Sequence, residues 1–387
     1  MIHIVTIKEK IPLFKGEEKA NAIEVVLLNE FGFELVTQMN RFQVGDKALL
    51  VEPDYNLPNI PFWADWISPN GDPKKSKLGS NNRIRAIKFN LHKGDGMPVY
   101  SNGILLTQED LTTAPIPDKL KFTLNSKCTE EFLTNLGKEY LGIYKYDPET
   151  SNKGKVGKAR TTKKLPDGMY RTDEENFNKI TLTYPIHLIG SLKIDGSSCS
   201  IWKKSKQSGI CSRNLQIPLM LTNVIGKKKD IWSKIKSLFG VDISIYKEEK
   251  NTSEFITIGE KYLQSLIESD YDNITLRGEI YGKNGSKGSG NPRNPHGNKP
   301  GDILFYGVDE YTSSTKKEPY NKFVEVTDNL SLTRCPEIFN KEFSTREELI
   351  QECNQYFADN LVEGIVIRTP DSSISAKIMN LEYDSKK

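Results

Sequence analysis

The chain has 387 residues, 36% of them hydrophobic and 27% charged, with 54 basic side chains against 51 acidic ones and a formal net charge of +3. That composition excludes a disordered polyelectrolyte, and no apolar run approaches the roughly 20 residues that a membrane-crossing helix needs. The five cysteines (Cys128, Cys199, Cys211, Cys335, Cys353) include no C-x-x-C pair and the four histidines are scattered, so reduced thiols and no zinc are expected. The N-terminus alternates apolar and polar residues without a signal-peptide core, which makes a cytoplasmic location the expectation.

In chain order, residues 1–112 read as mostly β. Short apolar runs at 2–7, 22–28, 33–37, 48–51, 84–89 and 103–106 are punctuated by turn residues such as Gly45-Asp46 and Pro53-Asp54. This spacing predicts a small barrel, and an OB-type barrel fits the size. Trp63 and Trp66 are expected to pack on that barrel, with base stacking as the alternative. Lys74, Lys75, Lys77, Arg83, Arg85 and Lys88 form a basic set that either tracks a phosphate backbone or is a solvated face.

Residues 113–170 read as a linker, with a short helix at 129–136 and then a basic, breaker-rich loop from Asp147 to Gly168. From 171 to 387, strand-like runs (186–192, 199–202, 274–280, 303–308, 363–368) alternate with helical stretches near 230–239, 255–268 and 345–357. Thr345 followed by Glu347-Glu348 is a helix start. The fold class expected is α+β, a β-barrel followed by a mixed domain.

Leu192-Lys193-Ile194-Asp195-Gly196 places a lysine at the end of an apolar strand, with a glycine that permits a tight turn just beyond. A lysine is a nucleophile only when deprotonated, so burial or a nearby cation has to lower its pKa of about 10.4. Asp195 projects to the same side as Lys193 if the strand continues. Alone, K-x-D-G is short enough to arise by chance, and its bland reading is a strand-end lysine beside a turn. Further segments follow it: Ser212-Arg213-Asn214, Leu276-Arg277-Gly278-Glu279, Leu304-Phe305-Tyr306-Gly307-Val308-Asp309, Val362-Glu363-Gly364-Ile365-Val366, and Ser375-Ala376-Lys377-Ile378-Met379.

This order and spacing resemble the covalent nucleotidyltransferase superfamily of polynucleotide ligases and capping enzymes. The resemblance implies an ATP-grasp-like nucleotidyltransferase domain at 171–387, with antiparallel sheets and helices, that uses ATP with Mg²⁺ or Mn²⁺. It implies Lys193 as the nucleophile that becomes lysyl-AMP and Arg213 on the ribose and 5′-phosphate. Glu279 would accept from a ribose hydroxyl, Glu363 would hold the metal, and Lys377 would neutralise the phosphate. Val366, with either Phe305 or Val308, would sandwich the adenine, and for these three a core role is the equal alternative. Met379 stands where ligases carry a second lysine, and Val308 where an aromatic usually precedes the aspartate.

About ten residues follow Lys377, and the extra domain comes first in the chain. That order is similar to ATP-dependent RNA ligases of the Deinococcus type, which implies sealing of nicks in RNA-containing duplexes, a role in RNA repair, and RNA ends as the partner. Two alternatives stay open: a GTP-using capping-type transferase, and a ligase homologue that only binds RNA.

Overall fold

The computed structural model describes residues 1–146, 163–171, 173–227, 244–282, 294–297 and 299–385. The loop read at 147–168 and the helix read at 230–239 lie largely or wholly outside those residues. The chain divides into two compact units. The first takes Met1–Pro148, Glu175–Thr181 and Ile378–Lys387, and the second takes Glu149–Glu174 and Leu182–Lys377.

In the first unit, β1 (Ile2–Lys15), β2 (Glu18–Leu28), β3 (Glu34–Gln38), β4 (Lys47–Val51) and β5 (Ile104–Leu106) form one sheet in the order β3-β2-β1-β4-β5. β1 is long enough to serve two neighbours, pairing through Ile2–Thr6 with β4 and from Ile7 onward with β2. Register shifts at Ile7/Glu9 and Pro12/Phe14 interrupt the second ladder, and such bulges bend and twist a strand. Alternate residues of β4 serve two cores: Leu49 and Val51 pack with Ile2 and Trp63, while Ala48 and Leu50 pack with Val5 and Val26. A strand covered on both faces explains the unbroken Ala-Leu-Leu-Val run.

Trp63 is fully buried and its Nε1 donates to the Leu141 carbonyl at 2.9 Å, with Trp66 edge-on to it at 5.5 Å. Both tryptophans therefore pack. Among the basic set, Arg83 is clasped between Asp54 and Asp384, the latter on the Leu381–Ser385 helix. Asp384 also accepts from the Ala86 N–H at 3.1 Å, and Lys88 pairs with Glu382 at 2.7 Å. Lys74, Lys75 and Lys77 stand exposed on a turn that Asp72 caps through the Lys74 N–H at 3.0 Å.

The second unit is built on two antiparallel sheets. The larger contains β7 (Ser197–Lys204), β8 (Gln207–Ser212), β9 (Ile274–Tyr281) and β10 (Asp302–Tyr311) in the order β8-β7-β9-β10, extended at its edges by short strands. The other contains β6 (Ile186–Lys193), β11 (Gly364–Arg368) and β12 (Ser375–Met379) in the order β12-β11-β6, with Glu337–Phe343 beyond β6. The Glu254–Glu268 helix lays Ile256, Leu263 and Leu266 against Ile201, Leu276 and Phe305 of the larger sheet, the stripe expected of an amphipathic helix on a sheet. The Arg346–Asp359 helix starts as expected, with Thr345 accepting from the Glu348 N–H at 3.1 Å. The Glu130–Asn135 helix is capped in the same way by Thr129.

Candidate active site

Lys193 ends β6 and pairs with Gly364, the first residue of β11. The residue just before β11 is Glu363, and its Oε2 meets Lys193 Nζ at 2.6 Å. The apolar runs on both sides drive this placement: Leu188, Ile189 and Leu192 of β6 and Ile365 and Ile367 of β11 are buried, so the two polar ends are brought together where the ladder stops. Lys193 itself is half-buried.

Two more carboxylates act on this lysine. Burial alone pushes the Lys193 ammonium down, but Glu363, Glu279 and Asp195 together outweigh it and hold the group above its ordinary value. Glu279 sits on β9, paired with Ser198 of β7 and Leu304 of β10. Burial pushes its carboxyl up to about 8, against the pull of Lys193, with Glu363 and Asp195 adding to the rise. Asp195 is buried, and its carbonyl accepts from Asn294 Nδ2 at 2.8 Å. Gly196 is required by close approach: a Cβ there would lie 2.2 Å from the Ile280 carbonyl oxygen.

Arg213 follows β8, pairs with Asp173 at 2.6 Å, and its charge reaches Glu279. Lys377 lies half-buried on β12, in the same sheet as Lys193. Val366 is half-buried and pairs with Ser191, two residues before Lys193, so Val366 and Lys193 share a face of the sheet.

Phe305 and Val308 have apolar surroundings, and Val308 also lines a pocket with Tyr306 and Arg368. Both lie in the apolar core under the Glu254–Glu268 helix, and the Phe305 ring meets Tyr262 edge-on at 5.1 Å. The ladder between β9 and β10 shifts register between Arg277/Gly278, which pair with Gly307 and Phe305, so Tyr306 is the extra residue of a bulge. Tyr306 packs on the Leu192, Ile194 and Leu304 cluster, beside the Lys193 strand. Sequence reading passed over Tyr306; its only signal was an aromatic inside a strand whose alternation breaks at Gly307.

Beyond these residues is a pocket lined by Arg277, Tyr306, Gly307, Asp309, Lys317 and Arg368, among others. Among the described residues, no group of three His, Cys, Asp or Glu side chains forms a cage for a metal ion, and no helix is long and apolar enough to cross a membrane.

A strand-end lysine ringed by carboxylates, on a pair of antiparallel sheets, is the arrangement of a nucleotidyl-transferring enzyme. The RNA ligase family model matches residues 186–379, half of the chain, and the chain belongs to that family. No curated protein matches the sequence. Among solved structures, the fold is similar to a Naegleria gruberi RNA ligase variant with AMP and Mn, at 16% identity and a TM-score of 0.67, covering 100% of this chain and 98% of that one. A second Naegleria gruberi variant, with ATP and Mn, matches at 17% identity and a TM-score of 0.67 over the same shares. The Naegleria gruberi RNA ligase with PPi matches at 17% and 0.66, covering 99% and 97%.

Proposed function

We propose that this RNA ligase uses ATP and joins a 3′-hydroxyl to a 5′-phosphate through a covalent adenylate on Lys193. The observation that supports it best is the Lys193–Glu363 contact at 2.6 Å, with Glu279 and Asp195 in the same electrostatic cluster. In the first step the Lys193 ammonium gives one proton to water and the neutral Nζ attacks the α-phosphorus; a P–N bond forms, the P–O bond to pyrophosphate breaks, and a second nitrogen proton passes to water. An RNA 5′-phosphate oxygen then attacks the same phosphorus, breaking the P–N bond and carrying AMP onto the RNA end. Finally the 3′-hydroxyl attacks that 5′-phosphorus and expels AMP. Arg213 would hold ribose and the incoming phosphate, Glu279 would accept from a ribose hydroxyl, and Lys377 would face the α-phosphate.

A divalent cation suits the donor set. Mg²⁺ or Mn²⁺ keeps several waters and binds through one or two carboxylates plus substrate phosphates, so Glu363 with a neighbouring carboxylate is sufficient. When bound, such a cation neutralises charge on the phosphate and on the carboxylates that keep Lys193 protonated.

We assign an OB-type module to the first unit, which takes in Met1–Pro148, Glu175–Thr181 and Ile378–Lys387 and not residues 1–112 alone, and the adenylyltransferase domain to the second, the order of the Deinococcus-type RNA ligases. Nicks in duplexes with an RNA 3′-hydroxyl strand are the proposed substrate. The full chain, mixed with ATP and Mn²⁺, is expected to gain the mass of one AMP, and Lys193→Ala to gain none. Sealing should occur on nicked duplexes with an RNA 3′-hydroxyl strand and fail on all-DNA ones. Label appearing from GTP alone, or on Lys193→Ala, would overturn the assignment.

A further inference from the structure

Two buried arginines line the pocket beyond the lysine, and they are satisfied very differently. Arg277 is ion-paired with Asp309 at 2.7 Å, donates to Ser200 Oγ at 2.8 Å and reaches the Tyr170 carbonyl at 3.3 Å. Arg368 is only 7% exposed, yet it donates to the Tyr306 carbonyl oxygen and, at the long distance of 3.5 Å, to Ser191 Oγ. Its Nε has no partner among the described residues. Both partners of Arg368 are neutral oxygens, and among the described residues no ion pair balances its charge. A buried guanidinium so poorly compensated is costly, and the cost falls when a ligand supplies an acceptor.

The position narrows what that ligand is. Ser191 precedes Lys193 by two residues, Arg368 follows Val366 by two on the neighbouring strand, and Arg277 precedes Glu279 by two on β9. Ser191 and Arg277 thus stand two residues, roughly 7 Å, beyond the carboxylate–lysine cluster. This is the reach from a nucleotide's 5′-phosphorus to its base. Arg368, opposite Ile189 and five residues after Glu363, reaches back to that level through its contact with Ser191 Oγ. Val366 stands directly opposite Ser191, on the face shared with Ser191 and Arg368. Tyr306, whose carbonyl Arg368 holds, is on β10 next to the pocket.

Resting on the adenylate reading, we infer that Arg368 reads the base: its guanidinium donates to a ring-nitrogen acceptor on the purine edge, while Ser191 Oγ accepts from the exocyclic amine. Arg368 is thereby a specificity residue for the nucleotide. Its clasp on the Tyr306 carbonyl makes base recognition and the placement of that ring one event.

The test measures equilibrium binding of ATP and of its 1-deaza, 3-deaza and 7-deaza analogues to the full-length Lys193→Met chain, each analogue lacking one ring acceptor. One analogue is expected to bind about tenfold more weakly than ATP, the size of a hydrogen bond to a charged group, and the other two about as well. With Arg368→Met added, ATP and the sensitive analogue should bind within about twofold of each other. Three analogues that all bind like ATP would overturn the inference without need of the second variant, as would a penalty that survives Arg368→Met. The native chain is assayed alongside for the AMP adduct. Adduct formation with no deaza discrimination sinks the base-reading role alone, whereas absence of both adduct and ATP binding sinks the adenylate reading and this role with it.

Discussion

An amine that attacks phosphorus must first lose its proton, and Lys193 is held as an ammonium by the carboxylates around it. Glu363, in direct contact, is the nearest of them. Removing one such charge lowers a lysine pKa by about 1–3 units. Acetylation of Lys193 by acetic anhydride without metal, followed by mass spectrometry across pH, should therefore begin at lower pH in Glu363→Gln than in the native chain. An unchanged profile would show that the contact does not govern the proton. Glu279 makes a second prediction. Its pKa in the folded chain, about 8, is above the ordinary 4.5, so between those values the folded form keeps a proton that the unfolded chain has released. Its contribution to stability is full below about 4.5 and declines as pH rises to about 8. The melting temperature of the native chain should fall relative to Glu279→Gln across that window, and parallel curves would refute the assignment.

Among the elements, β10 decides most. Phe305 belongs to the core and Tyr306 to the site side, so truncating them should separate stability from binding. Phe305→Ala should cost about 3–5 kcal/mol of stability, read as a lower denaturant midpoint. Tyr306→Ala should cost less stability and weaken ATP binding more; the reverse ranking would mean that the bulge does not turn Tyr306 toward the site. This strand also marks where the sequence stopped being legible. Lys193 and Asp195 were legible from a strand end beside a turn, Glu279 and Glu363 only through the resemblance of their segments to the nucleotidyltransferases, and the structure brings those four together. Phe305, Tyr306 and Val308 were not, since one extra residue reverses every side chain after it and a bulge leaves no mark in composition. Gly196 was singled out for turn freedom, whereas its actual constraint is the Ile280 carbonyl, a contact across more than eighty residues that no local pattern encodes.

At the scale of the molecule, the basic set of the first unit, Arg85 aside, separates into two groups. Arg83 and Lys88 are committed to Asp54, Asp384 and Glu382, while Lys74, Lys75 and Lys77 project from a capped turn. Replacing those three lysines with alanine should weaken RNA binding and flatten its salt dependence, by about 0.7–0.9 in log–log slope for each phosphate that is no longer neutralised. Lys88→Ala should leave the slope unchanged. Equal slopes for both variants would assign the turn to solvent. The five-stranded sheet of the first unit was anticipated only as a run of short strands. The return of residues 378–387 to the first unit was not anticipated, because an acid seeking Arg83 from three hundred positions away looks like any surface acid in the sequence.

The Asp54–Arg83–Asp384 clasp has a temporal side. Ribosomes deliver residues in order, and early segments fold while later ones are still being made. Asp384 emerges only after the whole of residues 182–377, so during translation Arg83 has Asp54 alone and the Ala86 N–H lacks its acceptor. The first unit thus gains its Asp384 contacts only after the residues of the second have been made.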